Sequence, residues 1–477
     1  MRISVNRTSL VTAASFVVWA CASGAADNQP SIVPGSTTPV QTTIPSGTVG
    51  GAPSNGGVTS VGTIPGTTST GGVVPIGGNI GNGGATVVAK GGTTSTAKGG
   101  APATGGTTAA ATTGCTHPTP VASWKSPTAC PATQTVIDTL FNTWRTAYFK
   151  ECASEGSAYI YKDDESGNVV AVSEGIGYGM LITAALGKSA DFAKLAKFYQ
   201  KRLDGNGLMN WKYTASGSDL NAVCNASSSG SNAGAATDAD LDAALAYLIA
   251  DKAGFASTYA ADAKTLIGKI KAKATASCSP GTVIKVGDQW GDCGILNPSY
   301  FSPGHFRSFA TATGDTSWNT MASAAYTLLA KYQGNFGGKV YDWANDSGSG
   351  VNNPNTGKSG NIYGYEACRT PWRIALDYGW YQTAEAKTFL TTMNTKVVVP
   401  AAGYPASAVT VDTERNSCFV GGYALTGTAV DQATTDAYVA NWLNTFLAGD
   451  VGTGAYFKMT LKLLYLIAAA GKMPSGA

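Results

Sequence analysis

Histidine is almost absent from this 477-residue chain, which carries only His117 and His305. A His-based zinc site or a Ser-His-Asp triad has almost nothing to work with. No Cys-x-x-Cys pair offers a thiolate cluster in its place. Charge is also scarce, with 13% of residues Asp, Glu, Lys or Arg. Of the 32 Lys and Arg, Arg2, Arg7, Lys90 and Lys98 precede Cys115; of the 29 Asp and Glu, only Asp27 does. The remainder therefore balances at 28 of each sign. Nothing in that balance points to nucleic acid, an anionic membrane surface or a strongly cationic substrate.

Aromatic residues are missing from the whole stretch 28–114, whose only charges are Lys90 and Lys98. A segment made of Gly, Thr, Ser and Pro with scattered Val and Ala cannot bury enough surface to offset its chain entropy. Residues 27–114 are therefore expected to form a disordered linker, or a Thr/Gly-rich glycosylated stalk, ahead of a folded domain at 115–477. Long apolar runs are lacking too. The one near the start, Leu10 to Ala20 after Arg2 and Arg7, has signal-peptide length and is too short to span a bilayer. Residues 1–26 are expected to direct export. Val18-Trp19-Ala20-Cys21 resembles a lipobox, which would leave Cys21 lipidated and the protein held at the cell surface. The small residues up to Ala26 serve ordinary cleavage equally well, which would leave it free outside the cell.

Cysteine usage agrees with export. Apart from Cys21 there are eight: Cys115, Cys130, Cys152, Cys224, Cys278, Cys293, Cys368 and Cys418. An even number in an exported domain implies up to four disulfides.

Helical spacing dominates the folded part. The segments are 133–149, 175–186, 191–203, 239–252, 257–274, 303–313, 317–332, 367–378, 383–395, 417–426, 432–447 and 456–470. Twelve helices separated by long Gly, Asn, Asp and Trp-rich loops imply helical hairpins closed into a ring, an all-α fold. Strand patterns are few: a strand-like run at 168–172, and at most a short hairpin from 397–399 and 409–411.

Three acidic motifs stand out. Ser173-Glu174-Gly175-Ile176-Gly177-Tyr178-Gly179-Met180 puts one carboxylate at the start of an apolar helix. Partial burial there raises a carboxyl pKa, as a general acid needs, while the helix dipole favours the ion. A plain N-terminal capping role explains Glu174 as well. Asp238, Asp240 and Asp242 crowd the first turn of the helix at 239–252, more acid than a cap requires. The run Tyr365-Glu366-Ala367-Cys368-Arg369-Thr370-Pro371-Trp372-Arg373 packs a carboxylate, two arginines and aromatics together, as a lined cleft or as a surface Glu366–Arg369 pair. Trp211, Trp290, Tyr300 and Trp343 lie in neighbouring polar loops, where flat rings stack on sugar faces and amides and carboxylates bond hydroxyls. His305, beside Phe306 and Pro303, reads as structural.

Ser-Glu-Gly-x-Gly-Tyr-Gly-Met at 173–180, Ala-Ala-Thr-Asp-Ala-Asp-x-Asp at 235–242, Asn-Pro-Ser-Tyr-Phe at 297–301 and Tyr-x-Tyr-Glu-Ala-x-Arg at 363–369 occur in that order. Together they resemble glycoside hydrolase family 8, most closely its cellulase branch, from about Thr133 to the C-terminus. The resemblance implies an (α/α)6 barrel with long catalytic loops at one end. It also implies endo-acting hydrolysis of internal β-1,4 bonds of cellulose or a related β-glucan, with inversion. Glu174 matches the general acid, and Asp238 the residue that holds the distorted sugar. Glu366 stands where the branch normally has an Asp as general base. That departure lengthens the side chain by one methylene, and the loop 342–360, with Asp342 and Asp346, is the next place to look for a base. Trp211, Trp290 and Tyr300 match sugar-contacting aromatics, and Arg369 the arginine beside the base. The implied partner is a polysaccharide, bound by a monomer without metal or organic cofactor. Xylanase and chitosanase specificities share the fold. A non-catalytic polysaccharide-binding protein would keep the aromatics without needing the carboxylates. A lyase would want a Tyr or His base with basic neutralisers, which the neutral charge disfavours.

Overall fold

The structure is a computed structural model that describes residues 130–163, 167–229, 233–353, 357, 360–397, 416–445, 450 and 454–477. The signal segment, Cys21, the linker and Cys115 lie outside the described residues. So does the 397–399/409–411 hairpin, apart from Val397, which follows the ninth helix.

Twelve α-helices occur among the described residues. They are α1 (Cys130–Tyr148), α2 (Ser173–Ala185), α3 (Ser189–Gln200), α4 (Thr237–Lys252), α5 (Tyr259–Lys273), α6 (Pro303–Thr313), α7 (Ser317–Asn335), α8 (Thr370–Tyr381), α9 (Ala384–Lys396), α10 (Ser417–Ala424), α11 (Gln432–Tyr438) and α12 (Ala455–Ala469). The even-numbered helices pack in succession, α2 on α4, α4 on α6, α6 on α8, α8 on α10 and α10 on α12, and α12 returns to α2. The odd-numbered helices pair outside them, α3 on α2, α5 on α4, α7 on α6, α9 on α8 and α1 on α12. This is an (α/α)6 barrel.

The sequence dictates which helices go inside. α4 and α12 are apolar almost all round and buried along their length, as an inner ring requires. Outer helices carry one apolar stripe. In α9, Ala386, Phe389, Leu390 and Met393 are buried at i, i+3, i+4 and i+7 while the lysines face out. In α5, Tyr259, Ala263, Leu266, Ile267 and Ile270 do the same. Close packing of α2 needs its glycines. A Cβ on Gly177 would come 2.8 Å from the Ala239 carbonyl oxygen of α4, and one on Gly175 would meet the Tyr456 hydroxyl at 2.6 Å.

Beside the barrel lies an antiparallel sheet in the order β1 (Phe149–Cys152), β2 (Ser157–Asp163), β3 (Val169–Val172), β4 (Lys212–Ala215). A second hairpin, β5 (Thr275–Cys278) with β6 (Gly281–Ile284), follows α5. The sequence shows only β3 as a strand; the other strands are short and get their pairing from distant segments. β3 and β4 pair with Val172 opposite Lys212, and β3 runs straight into α2. The Ser173 N–H then donates to the Trp211 carbonyl at 2.8 Å, which sets Trp211 beside the start of α2.

Three disulfides, Cys152–Cys224, Cys278–Cys293 and Cys368–Cys418, join described residues. The third ties the turn before α8 to the start of α10.

Candidate active site

Hairpin topology points the N-termini of the inner helices to one end, and the carboxylates collect there. Glu174 stands in the first turn of α2, Asp238 in the first turn of α4, and Glu366 just before the turn that opens α8. Neither Glu174 nor Asp238 caps its helix: the caps are Val172 and Ala236. Asp238 Oδ1 accepts the Ala239 N–H at 3.0 Å, and Asp238 Oδ2 and Glu174 turn to another partner.

That partner is Arg369. Its Nη1 donates to Glu174 Oε2 and to Asp238 Oδ2, both at 2.9 Å, and to the Tyr178 hydroxyl at 3.1 Å. Its Nη2 donates to Glu366 Oε2. One guanidinium thus gathers three carboxylates from three segments. The Glu366–Arg369 pair is buried, not the surface pair that sequence alone allows. Glu174 is the most open of the three acids, with 13% of its side chain exposed against 2% for Asp238 and 3% for Glu366. The Tyr456 hydroxyl at the start of α12 donates to Glu174 Oε1 at 3.4 Å.

Burial pushes the Glu174 carboxyl up to about 8; Arg369 opposes the shift, and the negative charges of Asp238 and Glu366 add to it. Glu174 therefore holds its proton at neutral pH. Burial lifts Asp238 less, to about 6, because Arg369 and Arg373 both hold it down.

Arg369 and Arg373 are four apart on one chain segment, and Asp238 and Asp242 four apart on α4, so the two pairs stack as neighbouring rungs. Asp242 accepts from Arg373 Nη2 at 2.8 Å and from Nη1, and lies 3.0 Å from His305 Nε2. Burial favours its neutral form, but Arg373 and His305 outweigh it and hold it below the usual range. His305 is thus structural, completing a buried ion cluster under the site. Asp240 faces elsewhere. Its Oδ1 accepts from the Tyr199 hydroxyl and the Met209 N–H, fixing the loop that leads to Trp211, while Oδ2 is buried without a hydrogen-bond partner among the described residues.

Burial pushes Asp240 up to about 8. The folded state keeps this proton while the unfolded chain releases its own near pH 4, so stability falls as pH rises from about 4 to about 8. Asp240→Asn does not titrate. Its melting temperature should gain on the wild type steadily between those pH values, as a calorimetric series would show; a constant offset would contradict this.

The turn that carries Glu366 is held by Asp342, whose Oδ1 accepts the Gly364 and Ala367 N–H groups, both at 2.8 Å. Burial and the Glu366 charge push Asp342 up to about 7. Asp346 instead accepts from the Ser279 N–H at 3.0 Å, beside the Cys278–Cys293 bridge. Those three side chains form the one metal-like grouping among the described residues, and the disulfide removes its thiolates.

Of the aromatics, Trp290 is partly exposed and packs against buried Trp343, with ring centres 5.8 Å apart. Trp211 is mostly buried, with Lys212 Nζ 5.5 Å from its ring. Tyr300 is fully buried, its ring 5.6 Å from the Arg369 guanidinium. Sequence reasoning did not single out Asn297, whose Nδ2 donates to Glu366 Oε2 at 2.7 Å, nor Tyr178 and Tyr456. All three lie in or beside segments already marked by motif or helix.

Comparison with known proteins gives the family. The family model for glycosyl hydrolases family 8 matches residues 126–471. Endoglucanase 2 of Ruminiclostridium josui is 33% identical over 345 residues, spanning 70% of each chain. Endoglucanase A of Acetivibrio thermocellus is 34% identical over 326 residues, 65% of this chain and 64% of that one. Among solved structures, a β-1,3-1,4-glucanase from Paenibacillus sp. X4 shares the fold at a TM-score of 0.61 and 24% identity, covering 74% of this chain and 96% of that chain. With its motifs, its closed ring of helix pairs and these relatives, the chain belongs to glycoside hydrolase family 8.

Proposed function

We propose that the protein is an endo-acting, inverting hydrolase of internal β-1,4-glucosidic bonds in cellulose or a related β-glucan. The observation that carries this is the Arg369 cluster. A carboxyl that keeps its proton (Glu174) and a second carboxylate (Glu366) meet across one guanidinium, with Asp238 beside them. An inverting glycosidase needs that division of labour: one acid for the leaving oxygen and one base for a water on the opposite ring face. The endoglucanase relatives set the substrate class.

In this reading a glucan chain lies across the inner-helix N-termini, with Trp290 and Trp211 against sugar faces. Asp238 holds the hydroxyls of the sugar at the scissile bond. Glu174 protonates the departing oxygen as the glycosidic bond breaks. Glu366 takes a proton from water as the water oxygen bonds the anomeric carbon, and the new reducing end is the α-anomer. Arg369 holds the Asp238 pKa down beside a neutral acid and bonds Glu366, and the Tyr300 ring lies against its guanidinium. The protein acts as a monomer without a cofactor. It is exported by residues 1–26, either freed or lipid-anchored at Cys21; three disulfides within the domain support an oxidising destination.

A reducing-sugar assay of the purified protein on carboxymethylcellulose, barley glucan, xylan and chitosan tests the substrate. The two glucans should be cut fastest, with a rapid fall in viscosity that marks internal cleavage. Chitosan is polycationic and should be poor for a domain of balanced charge. Chitosan or xylan turnover far above that of both glucans would overturn the substrate assignment.

A further inference from the structure

The Glu366 carboxylate receives two donors, and both fall on the same oxygen. Arg369 Nη2 and Asn297 Nδ2 each donate to Oε2, and no hydrogen bond among the described residues reaches Oε1. The Asn297 amide has no freedom to turn over. Its Oδ1 accepts from the Ser299 backbone N–H at 3.0 Å and from the Ser299 hydroxyl at 2.7 Å. A backbone N–H can only donate, so the oxygen of the amide must face Ser299 and the nitrogen must face Glu366. Asn297 is fully buried, and Pro298 follows it at the start of the short helical turn Pro298–Tyr300. Proline fixes its own φ and restricts the residue before it, so the amide sits on a stiff support.

We infer that Asn297 is a positioning residue for the general base: its locked amide and Arg369 pin Oε2 of Glu366, leaving Oε1 as the oxygen that receives the proton of the attacking water. This rests on the assignment of Glu366 as base. It also accounts for the longer side chain at 366. Glu has one more torsion than Asp, and a second fixed donor removes the freedom that the extra methylene adds.

The test uses the full enzyme on a soluble β-glucan. Asn297→Ala removes the donor to Glu366 and should lower kcat by about 10- to 100-fold with KM nearly unchanged. The same change gives a second readout in combination with Glu366→Ala. In that background azide replaces water at the anomeric carbon, giving an α-glycosyl azide without need of a base, while Glu174 still protonates the leaving oxygen. Asn297→Ala should slow the otherwise wild-type enzyme, yet leave the azide-rescued rate of Glu366→Ala almost unchanged, because there is no carboxylate left to position. Wild-type kcat in Asn297→Ala overturns the inference. So does an equal loss from Asn297→Ala in both backgrounds, which marks a merely structural role. Near wild-type turnover of Glu366→Ala without azide overturns the base assignment itself, an outcome independent of any Asn297 variant.

Discussion

Glu174→Gln should leave the barrel folded and lower kcat on β-glucan by roughly 10²- to 10⁴-fold, because an amide has no proton to give the leaving oxygen. KM should change little, since Gln fills the same space and can still accept from Arg369. The loss should shrink on an activated aryl glycoside, whose leaving group needs no protonation. In the wild type, burial lifts Glu174 to about 8 against the pull of Arg369. Activity needs the protonated form, so the alkaline limb of kcat/KM should fall as pH passes through about 8 and be absent from the residual activity of Glu174→Gln. Near wild-type turnover of the variant on natural polysaccharide would remove Glu174 from the acid role.

The structural basis of that expectation was only partly legible in the sequence. The helices were, because a 3.6-residue apolar period survives wherever one face is buried: α6 runs over Pro303–Thr313 as the pattern predicts. Helix ends strayed by a few residues where turns of other kinds take over, as at Ala367–Arg369 ahead of α8. Strands were mostly hidden. β1 and β4 are four residues each, and β4 pairs with β3 across a whole helical hairpin, so local composition carries little trace of them. The acids of the site were visible as residues but not as a cluster. Arg369 meets Glu174 across 195 positions and Asp238 across 131, and no spacing rule links such positions. From sequence, capping accounts for one or two of Asp238, Asp240 and Asp242 without saying which. Only the fold shows that one reaches the site, one fixes a loop and one closes a buried ion cluster. Asn297 lay in a marked motif but looked like a turn residue, which it also is: the hydrogen bond to Ser299 makes the turn and aims the amide.

Glu366→Gln should be nearly inactive, with kcat down by roughly 10²- to 10⁴-fold, because an amide cannot take the proton from water. Gln is the informative change here. The pair with Arg369 is buried, and Ala would leave a cavity beside the guanidinium; with Gln, Arg369 still faces the Asp238 carboxylate, so its charge stays compensated. NMR of the first product should show the α-anomer, as attack by water on the face opposite the leaving group demands. Glu366→Asp should retain activity or exceed it, since the branch that this chain resembles normally carries Asp there. The shorter acid pulls away from Asn297, and how much activity survives reports how far that contact compensates for the longer side chain. The rival is that Glu366 only anchors Arg369. In that case Glu366→Gln would cost stability and leave kcat within a few-fold. The base would then have to be another acid, and the geometry ranks the alternatives. Asp346 serves the Ser279 N–H beside a disulfide, whereas Asp342 lies directly under the turn that carries Glu366. Both Asp342 bonds run to backbone N–H groups of that turn, so Asp342→Asn should lower activity by disturbing Glu366, and an inactive Asp342→Asn beside a fully active Glu366→Gln would reverse the assignment.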